Sequence, residues 1–125
     1  MNVTNVTAQL RTTDLDASID FYTNMLGFEL EFRYEDFYAG IRAGRQSFHL
    51  KFACDKDPSI DYVDEQGHFH LYFQTDNADG DAAELEEKGV EIIEDVHNTD
   101  WQTREFVIKD DQGHTLYFGQ PLTTD

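Results

Sequence analysis

The chain carries one plan twice. Asp14-Leu15-Asp16-Ala17-Ser18-Ile19-Asp20-Phe21-Tyr22 followed by Leu26-Gly27-Phe28-Glu29 is echoed by Asn77-Ala78-Asp79-Gly80-Asp81-Ala82-Ala83-Glu84-Leu85 followed by Lys88-Gly89-Val90-Glu91. The offset is 63 at Asp14/Asn77 and 62 at Gly27/Gly89, half of a 125-residue chain. A repeated unit too small to bury its own apolar face is expected to pair with its copy, and the groove between two copies is the natural place for a ligand.

Each copy reads as one strand, one helix and three strands. Residues 3–12 are rich in β-branched side chains and predict a strand. Thr13 or Asp14 then caps a helix that carries Leu15, Ile19, Tyr22 and Met25/Leu26 at helical spacing and stops at Gly27. Strands follow at 28–34, 38–42 and 47–53, with Ala43-Gly44-Arg45-Gln46 as the hairpin turn between the last two. The second copy repeats the order, with a strand at 68–75, a helix at 78–88 closed by Gly89, and strands at 90–96, 104–109 and 115–119. Asp110-Asp111-Gln112-Gly113-His114 has the acidic and glycine chemistry of a tight turn. The expected organisation is a single domain over 1–125: module one at about 1–54, a connector holding Pro58 at about 55–66, and module two at about 67–121.

Charge and composition narrow the partners. With 26 acidic against 9 basic residues the formal net charge is −17, which repels phosphate backbones and attracts cations, or serves solubility or a salty surrounding. Nucleic acid is therefore not an expected partner. No apolar run approaches the ~20 residues of a membrane span, and the N-terminal residues lack a basic or apolar signal region, so a cytoplasmic protein is expected. The single cysteine, Cys54, has no internal disulfide partner and reads as a small buried or half-buried side chain.

The motifs resemble those of the glyoxalase/bleomycin-resistance/extradiol-dioxygenase superfamily, also called vicinal oxygen chelate proteins. The resemblance is carried by Asp14-Leu15, Phe21-Tyr22 and Leu26-Gly27-Phe28, by Gly89-Val90, and by Trp101, Arg104-Glu105-Phe106, Asp110, Gly113 and Tyr117-Phe118 in that order. It implies an α+β fold: two tandem βαβββ modules forming a curved mixed sheet with a cleft. It does not imply one reaction, because the same modules carry isomerases, epimerases, dioxygenases, thiol transferases and metal-free drug-binding proteins.

In metal-binding members, inward His and Glu side chains from the first and last strand of each module hold a divalent ion. The resemblance puts those positions at Thr7, His49, His70 and Tyr117. Zn²⁺ sites take about three strong protein ligands, and Mn²⁺, Fe²⁺ or Ni²⁺ sites usually include a carboxylate. Two imidazoles, a threonine and a neutral phenol supply neither, so no metal cofactor is expected; the alternative is a Zn, Mn, Fe or Ni centre on His49 and His70. His68 and His70 would share a strand face, a spacing that grips a metal or carries two hydrogen-bonded histidines. His97 and His114 are expected in solvated loops. Glu105 is a candidate general base, one without a Lewis acid to stabilise the product of proton abstraction.

The metal-free branch is the nearer likeness. Its acidic-aromatic-Ala-Gly strand pattern is similar to Glu35-Asp36-Phe37-Tyr38-Ala39-Gly40, and its Trp followed by Arg-Glu-Phe is similar to Trp101-Gln102-Thr103-Arg104-Glu105-Phe106, with one residue more between Trp and Arg. This implies a homodimer that binds a small cationic or aromatic compound such as a bleomycin-type antibiotic. Tyr38 and Trp101 would stack on the ligand, and His49, His70 and Tyr117 would make polar contacts. Competing uses are a core role for Phe37, Tyr38, Phe48 and Phe106, an ion pair holding a loop for Arg104, a metal-dependent lyase, isomerase or dioxygenase, and a metabolite-binding module without catalysis.

Overall fold

A computed structural model describes residues 1–122, and the chain forms two compact units, Met1–Asp57 and Pro58–Asp125. The first holds β1 (Ala8–Thr12), α1 (Leu15–Asp20), which runs on as a π-helical turn over Phe21–Met25, then β2 (Glu29–Tyr34), β3 (Tyr38–Ala43) and β4 (Gln46–Phe52). The second holds α2 (Ser59–Gln66), β5 (Leu71–Gln74), α3 (Ala78–Glu87), β6 (Ile92–Asn98), β7 (Thr103–Lys109) and β8 (Thr115–Pro121). The sheets are ordered β1-β4-β3-β2 and β5-β8-β7-β6. In each, the first and last strands of the module pair in parallel and the rest antiparallel, so the βαβββ plan is present twice as an α+β fold.

The repeated motif builds the same local chemistry in both copies. Asp14 caps α1 by accepting from the Ala17 N–H, and Asn77 caps α3 by accepting from the Gly80 N–H. Gly27 and Gly89 follow the helices at φ 77° and 90°, a left-handed turn that an L side chain resists.

One face of each sheet is covered by its helix. In the first unit Tyr22 is fully buried beneath α1, edge-on to Phe48 at 5.0 Å, among Leu10, Leu15, Ile41 and Leu50. In the second, Phe106 and Phe73 flank Phe118 at ring distances of 4.9 Å each, beside Ala82, Leu85, Ile108 and Leu116. Phe48 and Phe106 are therefore core, while Phe37 is exposed and places its ring beneath the Lys51 ammonium.

Several expectations are corrected. The strand expected at 3–12 begins at Ala8. The stretch read as connector, 55–66, contains α2, which packs Ile60 inward and ends at Gly67 in the left-handed region. Three α-helices, not two, are present among the described residues. Because β5 starts at Leu71, exposed His68 lies ahead of it and shares no strand face with His70. His97 lies within β6, not in a loop, although it is exposed.

His114 is only 1% exposed, where a solvated turn residue was expected. Asp110 explains the inversion: its Oδ1 accepts the Gln112 and His114 backbone N–H groups, and its Oδ2 lies 2.8 Å from His114 Nδ1. A carboxylate that satisfies the turn's donors lets polar residues enter the interior. Cys54 is exposed. No helix among the described residues is long and apolar enough to cross a membrane.

Truncating Phe106→Ala should remove a fully buried ring from the second unit's stack and lower unfolding free energy by about 3–5 kcal/mol, read by urea denaturation followed by circular dichroism.

Candidate functional site

Alternation along each strand sends one set of side chains to the helix and the other to the uncovered face. In the first unit that open face carries Gln9, Phe32, Tyr38, Gly40, His49 and Lys51, aligned by the pairings Gln9↔His49, Gly40↔His49, Phe32↔Gly40 and Tyr38↔Lys51. Phe32 can lie there because Gly40 has no side chain: a Cβ at Gly40 would sit 2.3 Å from the ring. The ring stacks on Tyr38 at 6.2 Å and meets His49 edge-on at 5.3 Å. Gln9 Nε2 donates to the Tyr38 hydroxyl at 3.0 Å, and that hydroxyl shares a second hydrogen bond with His49 Nδ1, also at 3.0 Å.

The second unit's open face carries Tyr72, Glu105, Val107, Tyr117 and Gly119. Glu105 is 4% exposed; its Oε2 accepts from the Tyr72 hydroxyl at 2.7 Å and from Thr103 Oγ1 at 3.0 Å. Tyr72 reaches it across β8 only because Gly119 lies between, where a Cβ would come within 1.7 Å of the phenol oxygen. Phe69 completes a cluster with Tyr72 and Tyr117, its ring centroid 5.6 and 5.1 Å from theirs. Burial first, then the hydrogen bond and charge of Glu105, push the Tyr72 phenol up to about 12. Tyr117 is also pushed up, by burial and then by the charges of Glu94 and Glu105.

The two faces share a device. Gln9 and Tyr72 stand five residues before the helix caps Asp14 and Asn77. Tyr38 pairs with Lys51, two residues past His49, and Glu105 pairs with Gly119, two past Tyr117. Each module thus ties its first strand to its third by a hydrogen bond running diagonally over the last strand: amide to phenol in one, phenol to carboxylate in the other. Sequence reasoning missed Gln9, Phe32, Phe69, Tyr72 and Thr103. The five-residue spacing to the caps is the signal that could have found Gln9 and Tyr72.

Other expected site residues sit elsewhere. Trp101 occupies the turn between β6 and β7 and is 68% exposed, next to Gln102 at φ 69°. Arg104 makes a bidentate pair with Asp79 at 2.9 and 3.0 Å and donates to Asn98, so it holds α3 to β7, the loop-holding role. His70 is committed on both ring nitrogens: Nδ1 accepts the Thr115 N–H at 3.2 Å, and Nε2 lies 3.1 Å from Ser59 Oγ. Thr7 is exposed ahead of β1. The set Thr7, His49, His70 and Tyr117 does not fit a divalent ion: it offers no carboxylate, a threonine and a neutral phenol are weak ligands, and His70 is hydrogen-bonded on both ring nitrogens.

Two βαβββ modules joined in tandem, with this order of motifs, define a known class. The chain belongs to the glyoxalase/bleomycin resistance protein/dioxygenase superfamily, whose family model matches residues 4–118. No curated protein sequence matches the chain. Among solved structures it is similar to TnmS3, an antibiotic binding protein from Streptomyces sp. CB03234, at 23% identity and TM-score 0.72, over 97% of this chain and 98% of that one. It is similar to the bleomycin-binding protein of Streptomyces verticillus in complex with copper(II)-bleomycin, at 19% identity and TM-score 0.71, over 94% and 96%. It is equally similar to a lactoylglutathione lyase from Agrobacterium tumefaciens, at 19% identity and TM-score 0.74, over 95% of each chain. At these identities the likeness establishes the fold, shared by binders and enzymes alike.

A Gly119→Ala variant should push the Tyr72 ring off β8 and break its bond to Glu105. Ultraviolet titration of the wild-type protein should show a phenol ionising near 12, and the variant should return it toward 10. Because the folded value is raised, the stability linked to this proton is fully present below pH 10 and is lost as pH rises toward about 12. The variant should lack that loss.

Proposed function

We propose that this protein binds a small cationic or aromatic compound without a metal, with bleomycin-type antibiotics as the class to test. The observation that carries the reading is the make-up of the open faces. They present Phe32 and Tyr38 in one unit and Phe69, Tyr72 and Tyr117 in the other, with polar groups between the rings. Planar heteroaromatic ligands gain about 0.5–1.5 kcal/mol per aromatic pair beyond area burial. The acidic excess draws cations, with a pull that weakens as salt rises. Tyr38 and the exposed Trp101 are the stacking residues of this reading; His49 and Tyr117 supply polar contacts, while His70, engaged on both ring nitrogens, holds the fold. The likeness to two antibiotic-binding proteins supports the choice of ligand.

The reading includes a cytoplasmic homodimer. Its support is β2, exposed along its whole length although it carries Leu30, Phe32 and Tyr34. The competing reading is a metal-dependent lyase, isomerase or dioxygenase using His49 and His70. One observation favours it: Glu105 is a buried carboxylate on the second unit's open face, a candidate general base.

Calorimetry with metal-free bleomycin in low salt should give saturable binding. Tyr38→Ala and Trp101→Ala should each weaken it by about three- to tenfold, the worth of one stacked aromatic. No heat at high micromolar concentration would remove the resistance reading. A stoichiometric transition metal in protein purified without chelator, lost in His70→Ala, would replace it with the enzyme reading.

A further inference from the structure

We propose that the open face of the second unit is a subsite for an alkylammonium group, received by the rings of Phe69, Tyr72 and Tyr117 with the carboxylate of Glu105 beneath them and that of Glu94 beside them, in the register row of Val107 and Tyr117. This rests on the binding reading above and names the ligand's charged end.

The three rings form a closed triangle. Their centroids lie 5.1, 5.6 and 6.4 Å apart and the ring planes are inclined to one another by 41° to 55°, so no ring is covered by stacking on another. Phe69 is 46% and Tyr72 39% exposed, which leaves π surface open to solvent. The face of an aromatic ring is its negative pole and attracts weakly hydrated cations.

The unit's charge balance supplies the second argument. Glu105 is buried, yet its two partners, Tyr72 and Thr103, are neutral donors. The unit's lysines and arginines are engaged elsewhere: Lys88 with Glu84, Arg104 with Asp79, and Lys109 with Asp64. His97, the register partner of Glu105, directs Nδ1 to the Asp95 carbonyl. Among the described residues neither Glu105 nor Glu94 has an ion-pair partner. A buried carboxylate is stabilised by a nearby positive charge, and among the described residues of the unit the one cation on the same face of β7, Lys109, is paired with Asp64.

The ring cluster also selects among cations. A small hard metal ion needs carboxylate oxygens at close range, and the Tyr72 and Thr103 hydroxyls already occupy Glu105 Oε2. An alkylammonium sheds little hydration, contacts ring faces through its methyl or methylene groups, and takes charge stabilisation from the carboxylates beneath and beside the rings. The charges that act on Tyr117 reach it from β6 and β7, through Glu94 and Glu105.

The test is an NMR titration with benzyltrimethylammonium chloride against neopentylbenzene, its neutral isostere, in about 0.15 M salt. The cation should shift the ring resonances of Phe69, Tyr72 and Tyr117 and bind about tenfold or more tightly than the isostere. Tyr117→Leu and Glu94→Gln, at half-buried and exposed positions, should each weaken the cation about fivefold and leave the isostere unchanged; Glu105→Gln should do the same where circular dichroism shows it folded. Equal binding of cation and isostere, or unchanged cation binding in both Tyr117→Leu and Glu94→Gln, overturns the subsite. Bleomycin affinity that falls in Tyr38→Ala but not in Tyr117→Leu removes the subsite and leaves the function. Ammonium binding without bleomycin binding removes the antibiotic and leaves the subsite.

Discussion

A four-stranded sheet has two faces, and each module of this protein brings one crossing helix to cover one of them. The helix joins the module's first and second strands, which run the same way at opposite edges of the sheet and which a tight hairpin cannot connect. Covering one face segregates the side chains: Tyr22, Phe48 and Leu50, or Phe106, Phe118 and Ile108, go inward, and their strand neighbours are left on the other side. The groups with chemistry to offer, His49, Tyr38, Tyr72, Glu105 and Tyr117, are all such neighbours. Their placement on an open face is thus a by-product of how the core is built.

Much of the scaffold was legible in the chain. The caps Asp14 and Asn77 and the stops Gly27 and Gly89 perform the tasks that local sequence dictates, since capping and left-handed turns depend on few neighbours. Strand order and kind followed from alternation. The missed helix α2 is short, begins at a proline and buries only Ile60, so its pattern is hard to separate from that of a charged linker. His114 was misjudged because turn composition signals exposure, whereas burial there depends on three hydrogen bonds accepted by one aspartate.

The site was less legible than the scaffold. The family resemblance singled out His49, Tyr38 and Tyr117, and its carboxylate singled out Glu105; all four lie on the open faces. Tyr72 and Phe32 were not singled out, because what admits their rings is a glycine on another strand. Gly40 and Gly119 matter for the atom they lack, and strand register must be known before that absence means anything. His70 shows the converse: its position in the motif suggests a ligand, while its two hydrogen bonds within the unit give it a structural task.

The diagonal bond over each module's last strand is one frame with different occupants in the two modules. Positions 72, 105 and 119 act together as donor, acceptor and clearance. A relative that enlarges residue 119 loses the passage for a phenol and must find a shorter donor or abandon the buried acid. Sorting homologues by that triplet, more than by overall resemblance, would separate those able to keep a negative charge beneath their aromatic surface from those that cannot.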